Sequence, residues 1–207
     1  MSSESTLVFV IDDDAGVRAA TQRLLKSVGL KAETFAAPQD FLKRPPHDGP
    51  SCLILDVRLP GISGLELQRK LIEAGLNIPI IFISAHGDIP MTVAAMKSGA
   101  VEFLTKPVRD LDLLDEIHHA LERDRVARHQ QNEISELQGR FELLTARERQ
   151  VMRLVISGLA TKEIASALGT SDVTAKVHRS QMMHKMRANS LVELGRMAEK
   201  LKLPMSE

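Results

Sequence analysis

Short apolar runs and helix-patterned segments alternate five times within residues 1–121. Leu7-Val8-Phe9-Val10-Ile11 is apolar without a break and then meets Asp12-Asp13-Asp14. A strand that is apolar at every position must be covered on both faces, which is the condition of a strand inside a parallel sheet. Residues 16–28 carry Val17, Leu24, Leu25 and Val28 at helical spacing and stop at Gly29. A strand near 31–35, a short helix near 38–43 and the loop RPPHDGP at 44–50 follow. Strand 51–55 then pairs with helix 64–74, strand 78–83 with helix 90–98, and strand 101–104 with helix 110–121. This alternation predicts a doubly wound α/β domain built on a five-stranded parallel sheet.

The pattern changes after residue 121. Residues 122–140, ERDRVARHQQNEISELQGR, are mostly polar and free of proline, and predict a helix that continues out of the first domain. Leu114, Ile117 and Leu121 form one spaced set, Ile134, Leu137 and Phe141 another, with little but Val126 and Ala127 between. A long coiled coil needs an unbroken apolar seam. The segment therefore reads either as a solvated linker helix or as one that makes a dimer contact at one end. From 141 onward the pattern is helical throughout, over 146–157, 162–168, 172–187 and 191–202, with breaks at Gly158 and Gly169. Thr161 is expected to cap the second of these helices, Ser171 the third, and Asn189 or Ser190 the fourth. A short helix, a glycine turn and a longer helix make a helix-turn-helix. The predicted organisation is an α/β domain over 1–121, a linker helix over 122–140 and an all-α four-helix domain over 141–207.

The formal net charge of zero hides a split. Residues 1–140 hold 16 Lys and Arg against 20 Asp and Glu, and residues 141–207 hold 11 against 7. A basic C-terminal part suits nucleic acid. Cys52 is the sole cysteine, which excludes a disulfide framework, and its place at the start of an apolar run predicts a buried thiol. No apolar run approaches the roughly 20 residues of a membrane span. The N-terminus MSSESTLVFV lacks the basic region of a signal peptide. The expectation is a cytoplasmic protein with no membrane partner.

Charged groups at strand ends ask for a reason, because a carboxylate buried without a partner is costly. Asp12 and Asp13 end the first strand, Asp56 the third, and Ser84 the fourth; Lys106 follows the fifth and precedes Pro107. In a parallel sheet such ends can converge on one edge, where ligands of α/β domains bind. Carboxylate oxygens suit Mg²⁺. A cation held by Asp12, Asp13 and Asp56 relieves their repulsion and screens an incoming phosphoryl group. An aspartate can be the nucleophile in such a transfer, with Ser84 and Lys106 placed to bond the phosphoryl oxygens. Taken singly, an Asp after a strand is an ordinary turn or cap residue and a Lys-Pro pair an ordinary loop. Their occurrence at successive strand ends is what makes a site.

VIDDD at 10–14, LILDVRLPGISG at 53–64, IPIIFISAHGD at 78–88 and GAVEFLTKP at 99–107 give residues 7–121 a resemblance to the receiver domain of two-component response regulators, a flavodoxin-like fold. The resemblance implies that Asp56 is phosphorylated by a sensor histidine kinase or a small phosphodonor. It implies that Asp12, Asp13, Asp56 and the main-chain carbonyl of Arg58 hold Mg²⁺. Ser84 matches the switch hydroxyl, Ala85 the small residue beside the phosphate and Phe103 the aromatic switch residue, which is phenylalanine or tyrosine in different members. Lys106 matches the phosphate-binding lysine, with a cis bond to Pro107.

In TAKVHRSQMMHKMR, residues 174–187, the three-and-four spacing of Ala175, His178, Met182 and Met186 puts them on one face, assigned to the core. Lys176, Arg179, Ser180 and Arg187 fall largely outside it, and such a basic face fits a major groove. The methionine stripe is ordinary packing, and His178 and His184 lack partners at zinc spacing. Residues 143–196 resemble the LuxR-type four-helix DNA-binding domain. The resemblance implies that helix 172–187 enters the major groove of double-stranded promoter DNA. Lys176, Val177 and Ser180 would then face bases, with Thr174 and Arg179 near the backbone. Ser180 stands where some relatives carry a basic residue, and Ala175 where valine is commonest. Glu148 matches a structural acid of the first helix.

Together the two resemblances imply a transcriptional response regulator of the FixJ and styrene-response subgroup, with no enzymatic activity beyond its own phosphoryl transfer and slow dephosphorylation. In the implied mechanism a kinase phosphorylates Asp56, Ser84 turns inward and Phe103 follows. The surface at 90–105, with Ile89, Met91, Val101, Lys97 and Arg109, is remodelled and the receivers pair. Two 141–207 domains then meet a two-fold related site, with RNA polymerase as a further partner. Two other classes share parts of this pattern. A phosphohydrolase would need a cap domain and an acid where Arg58 stands. A receiver-containing interaction protein would signal by protein–protein contacts without sequence-specific DNA binding.

Overall fold

Every residue of β1 (Leu7–Ile11) is buried, as its unbroken apolar run requires. Successive strand side chains point to opposite faces. Leu7, Phe9 and Ile11 accordingly join Leu53, Leu55, Phe82 and Phe103 on one side of the sheet. Val8 and Val10 join Cys52, Ile54, Ile81 and Ile83 on the other. This computed structural model describes residues 6–85 and 89–203, so His86, Gly87 and Asp88 at the end of the third motif lie outside the described residues. Burial pushes the pKa of the Cys52 thiol up to about 12.

With β2 (Lys31–Phe35), β3 (Ser51–Asp56), β4 (Ile80–Ser84) and β5 (Glu102–Thr105), β1 forms one parallel sheet in the order β2-β1-β3-β4-β5. Helix α1 (Ala15–Ser27) contributes Leu25 to one face, while α2 (Pro38–Lys43), α3 (Gly64–Glu73) and α4 (Ile89–Lys97) contribute Phe41, Leu67, Leu71 and Ala95 to the other. The strand order reverses between β1 and β3, the switch point where doubly wound domains place their ligands. Ile11 is level with Leu55 in the β1–β3 register, so Asp12 and Asp56 emerge side by side.

Local chemistry shapes this edge. Asp14 caps α1, its Oδ1 accepting from the N–H groups of Gly16 at 2.7 Å and Val17 at 3.2 Å. Ser63 caps α3 by accepting from the Glu66 N–H. At Gly64 a Cβ would stand 2.4 Å from the backbone oxygen of Asp56, so only glycine lets α3 begin this close to the end of β3. Val28 is exposed rather than on the apolar side of α1, because it lies past the last helical residue; Thr21 takes a buried place instead.

Helix α5 (Asp110–Glu142) runs without interruption through 122–140, and the chain divides into two compact units after Arg128. In the first unit Leu113, Ile117, Ala120 and Leu121 pack beneath the sheet. Asp124 lies in the stretch read as a solvated linker helix or a dimer contact, yet it is 3% exposed. It accepts the backbone N–H of Ser51 at 2.8 Å and Nε of Arg128 at 2.7 Å. In the second unit Leu137 is buried in the helical core.

That unit contains α6 (Ala146–Ile156), α7 (Thr161–Ala167), α8 (Asp172–Met186) and α9 (Leu191–Lys200) around Val151, Met152, Ile164, Met182 and Leu194. Thr145 and Glu148 cap α6 reciprocally, and Ser171 and Ser190 cap α8 and α9. Thr161 does not cap α7. The N-cap is Ala160, whose N–H donates to Glu163 Oε2 at 2.6 Å. Glu163 thus supplies the acid half of a capping box, and no side-chain hydroxyl caps this helix. Gly169, at φ 60°, closes α7 in the left-handed region and turns the chain into α8. Among the described residues no helix is long and apolar enough to cross a membrane.

Candidate functional site

The ends of β1 and β3 deliver three carboxylates to one point. One oxygen from each of Asp12, Asp13 and Asp56 lies within 4.8 Å of the others, with Asp12 and Asp56 buried and Asp13 exposed. Asp12 Oδ1 accepts the N–H of Asp14 at 2.9 Å, and Asp56 Oδ1 accepts the N–H of Arg58 at 2.8 Å. Lys106 directly follows β5, and its bond to Pro107 is cis. Its Nζ donates to Asp12 Oδ2 at 2.8 Å and Asp56 Oδ2 at 2.5 Å. Burial raises the pKa of Asp12 above its ordinary value, and the bonds from Lys106 and Asp14 offset only part of this. Burial opposes the charge of Lys106, yet its bonds to Asp12 and Asp56 hold its pKa above the ordinary lysine value. Three carboxylates against one ammonium leave a net negative pocket of hard oxygen donors, compatible with Mg²⁺.

Ser84 ends β4 and is fully buried; its carbonyl accepts the N–H of Lys106 at 2.8 Å, which ties that strand end to the lysine. Ala85 follows at the surface, and the side chain of Arg58 is also exposed. Phe103 is already buried in β5, its ring tilted against Phe82 with centroids 6.1 Å apart. An inward movement of Phe103 would thus start from a side chain with little surface left to lose. On α4 the outward apolar residues are Ile89, Val93 and Met96. Met91 and Val101, expected on that surface, pack partly against the core, and Arg109 is bonded to Asp112.

The second constellation lies on α8. Ala175, Met182 and Met186 are fully buried, as their spacing predicts. His178 is half-buried, and its Nδ1 has no hydrogen-bond partner among the described residues. Thr174, Lys176, Val177 and Ser180 are exposed, and the Thr174 hydroxyl lies 2.9 Å from that of Ser171. Arg179 is only half-exposed, because its Nη1 donates to Thr161 Oγ1 at 2.9 Å and so ties α8 to the first residue of α7. Beneath them Glu148 is buried and accepts from Lys185 Nζ and the Thr145 N–H, both at 2.7 Å. Burial works against its charge, but these bonds hold its pKa below the ordinary glutamate value.

Two structural residues escaped the sequence reading. Thr145 was legible in the T-x-x-E spacing of a capping box. For Asp124 the only signal was Arg128 four residues on, which a solvated helix also carries.

Residues 8–118 match the family described as response regulator receiver domain, and residues 142–198 the family described as bacterial regulatory proteins, luxR family. Nodulation protein W of Bradyrhizobium diazoefficiens is 48% identical over 200 residues, 97% of this chain and 88% of that protein. Transcriptional regulatory protein FixJ of Azorhizobium caulinodans is 42% identical over 195 residues, 94% of this chain and 92% of that protein. Among solved structures, the response regulator StyR has a TM-score of 0.88 at 46% identity, covering 95% of this chain and 99% of that one. These relatives give no support to an interaction protein that does not bind DNA.

Proposed function

The chain belongs to the two-component response regulators that join a receiver domain to a LuxR-type DNA-binding domain, and from that premise we propose that phosphorylation of Asp56 controls how residues 141–207 engage promoter DNA. Like its relatives it is a transcription regulator, not a classical enzyme, and its two domains imply a kinase and DNA as partners. One observation carries the assignment of Asp56. It is a buried strand-end carboxylate with one oxygen held by Lys106 and the other by the Arg58 N–H, beside two further acids.

A carboxylate oxygen of Asp56 attacks the phosphorus of a phosphohistidine or acyl phosphate, and the bond from phosphorus to the leaving group breaks. Asp12, Asp13, Asp56 and the Arg58 carbonyl would hold Mg²⁺, which would supply positive charge against the phosphoryl oxygens. The Lys106 ammonium pairs with one of those oxygens, the Ser84 hydroxyl donates to another, and Ala85 leaves room beside them. Phe103 settles with Ser84, and the surface at 90–105 becomes the contact of a homodimer. Phosphorylation need favour that state by only a few kcal/mol. Slow hydrolysis of the acyl phosphate resets it. Residues 1–121 act as the receiver, 122–140 as the linker and 141–207 as the reader. Lys176, Val177 and Ser180 face bases, Thr174 and Arg179 lie near the backbone, and RNA polymerase is the further partner of a cytoplasmic regulator.

Intact-mass measurement tests the central step. Acetyl phosphate with Mg²⁺ should add one phosphoryl group to the wild-type chain and none to Asp56→Asn, and excess chelator should stop the labelling. Equal labelling of the mutant would refute the assignment. Selection from random duplex DNA, with and without the phosphodonor, tests the second half.

A further inference from the structure

Helix α8 exposes two valines that folding does not explain. Val173 is 72% exposed and Val177 is 48% exposed, one turn apart. At about 100° per residue, Val173, Val177, Lys176 and Ser180 share an arc of about 100°, opposite the buried Ala175, Met182 and Met186. Single exposed apolar residues are ordinary. These two stand roughly 40° apart on the face that carries Lys176 and Ser180. A β-branched side chain in an exposed helix position loses rotamer freedom and gains no packing, so neither valine helps α8 to form.

We propose that Val173 is a specificity-determining residue which, with Val177, forms an aliphatic pair that reads two thymine methyl groups in the major groove. The inference rests on the DNA-reading role proposed above and names part of what is read. The thymine C5-methyl is the one apolar feature a base pair presents in that groove. Four residues of helix rise span roughly 6 Å, which covers one to two base steps at about 3.4 Å each. Two thymines within two steps therefore match the pair. Lys176 and Ser180 lie along one side of it on the same arc and supply the polar contacts. The Thr174 hydroxyl, engaged with Ser171, lies to the side.

The test uses the full-length chain. Its site is selected from random duplexes with the phosphodonor present, and each thymine of that site is replaced singly by deoxyuridine, which lacks only the methyl group. Loss of one buried methyl corresponds to about fourfold in affinity. Wild type should lose that factor at two thymines within two steps in each half of the two-fold site. Val173→Ala should be insensitive to the change at one of them and Val177→Ala at the other, with both variants melting like wild type. If Val173→Ala keeps the wild-type uridine profile, the methyl-reading role is wrong while DNA binding stands. If wild type selects no sequence at all, the DNA-reading role fails and this inference with it.

Discussion

The ammonium of Lys106 is bonded to Asp56 at 2.5 Å, and the same nitrogen reaches Asp12 at 2.8 Å. One cation from the end of β5 thereby holds together two buried carboxylates from different strands. Lys106→Met would leave them facing each other. Without Mg²⁺ the variant should lose about 1–3 kcal/mol of receiver stability, and excess Mg²⁺ should restore much of it by supplying charge at the same point. Urea melts with and without Mg²⁺ measure this. An equal loss under both conditions would show that lysine and metal do not act on the same carboxylates.

Asp13 separates metal binding from folding. It shares the acidic cluster with Asp12 and Asp56 but is exposed. Asp13→Asn should change metal-free stability by less than about 0.5 kcal/mol, yet reduce the rise in melting temperature that Mg²⁺ confers. A full Mg²⁺ response in the mutant would remove Asp13 from the ligand set.

Glu148 makes the C-terminal unit acid-sensitive. Its folded-state pKa lies below the ordinary value, held there against burial by Lys185 and Thr145. The carboxylate therefore contributes stability that is present above its unfolded pKa of about 4.3 and is lost as pH falls through the lower folded value. At pH 7, Glu148→Gln should cost about 1–3 kcal/mol, the range of a hydrogen bond to a charged group. The gap from wild type should close on acidification through that window. A gap independent of pH would mean that the charge contributes nothing.

Arg179 and Lys176 should part company. Lys176→Ala should leave the melt unchanged and lower the ratio of specific to non-specific affinity by about tenfold. Arg179→Ala should weaken specific and non-specific binding alike, reduce the salt slope by about one, and also cost about 1 kcal/mol of stability. The last effect follows from its bond to Thr161. Thr161→Val should reproduce only the stability loss, and the double mutant should add little to it. Additive losses would show that the bond does not couple α7 to α8.

Asp124 should be the most sensitive charged residue of the segment 122–140. Asp124→Ala leaves the Ser51 N–H buried without its acceptor, at a cost of about 1–3 kcal/mol. Arg125→Ala, on the exposed side of the same helix, should lie within about 0.5 kcal/mol of wild type. Equal melts for the two variants would contradict the buried carboxylate.

Much of this arrangement was legible because its signals are local. The unbroken run Leu7–Ile11 dictates a doubly covered strand, and the three-and-four spacing of Ala175, Met182 and Met186 dictates a buried stripe. The convergence of Asp12, Asp13, Asp56 and Lys106 follows once the strands are parallel, since every strand end then lies on one edge. What was not legible depends on partners far along the chain. Asp124 meets Ser51, 73 residues away, and Arg179 meets Thr161, 18 residues away. Neither periodicity nor charge pattern carries such pairings. Thr161 was assigned to the wrong task because a hydroxyl before a helix is a stronger local signal than an alanine backed by Glu163.

Phe103 lies against Phe82 in a chain that contains neither tryptophan nor tyrosine. Apart from phenylalanine, the protein is therefore silent in the near ultraviolet. Phe103→Tyr would introduce a single phenol three residues before Lys106, in a position where Phe82 already packs against the ring. Any change in tyrosine fluorescence would come from that strand end alone, giving a dye-free optical record of what happens at Asp56.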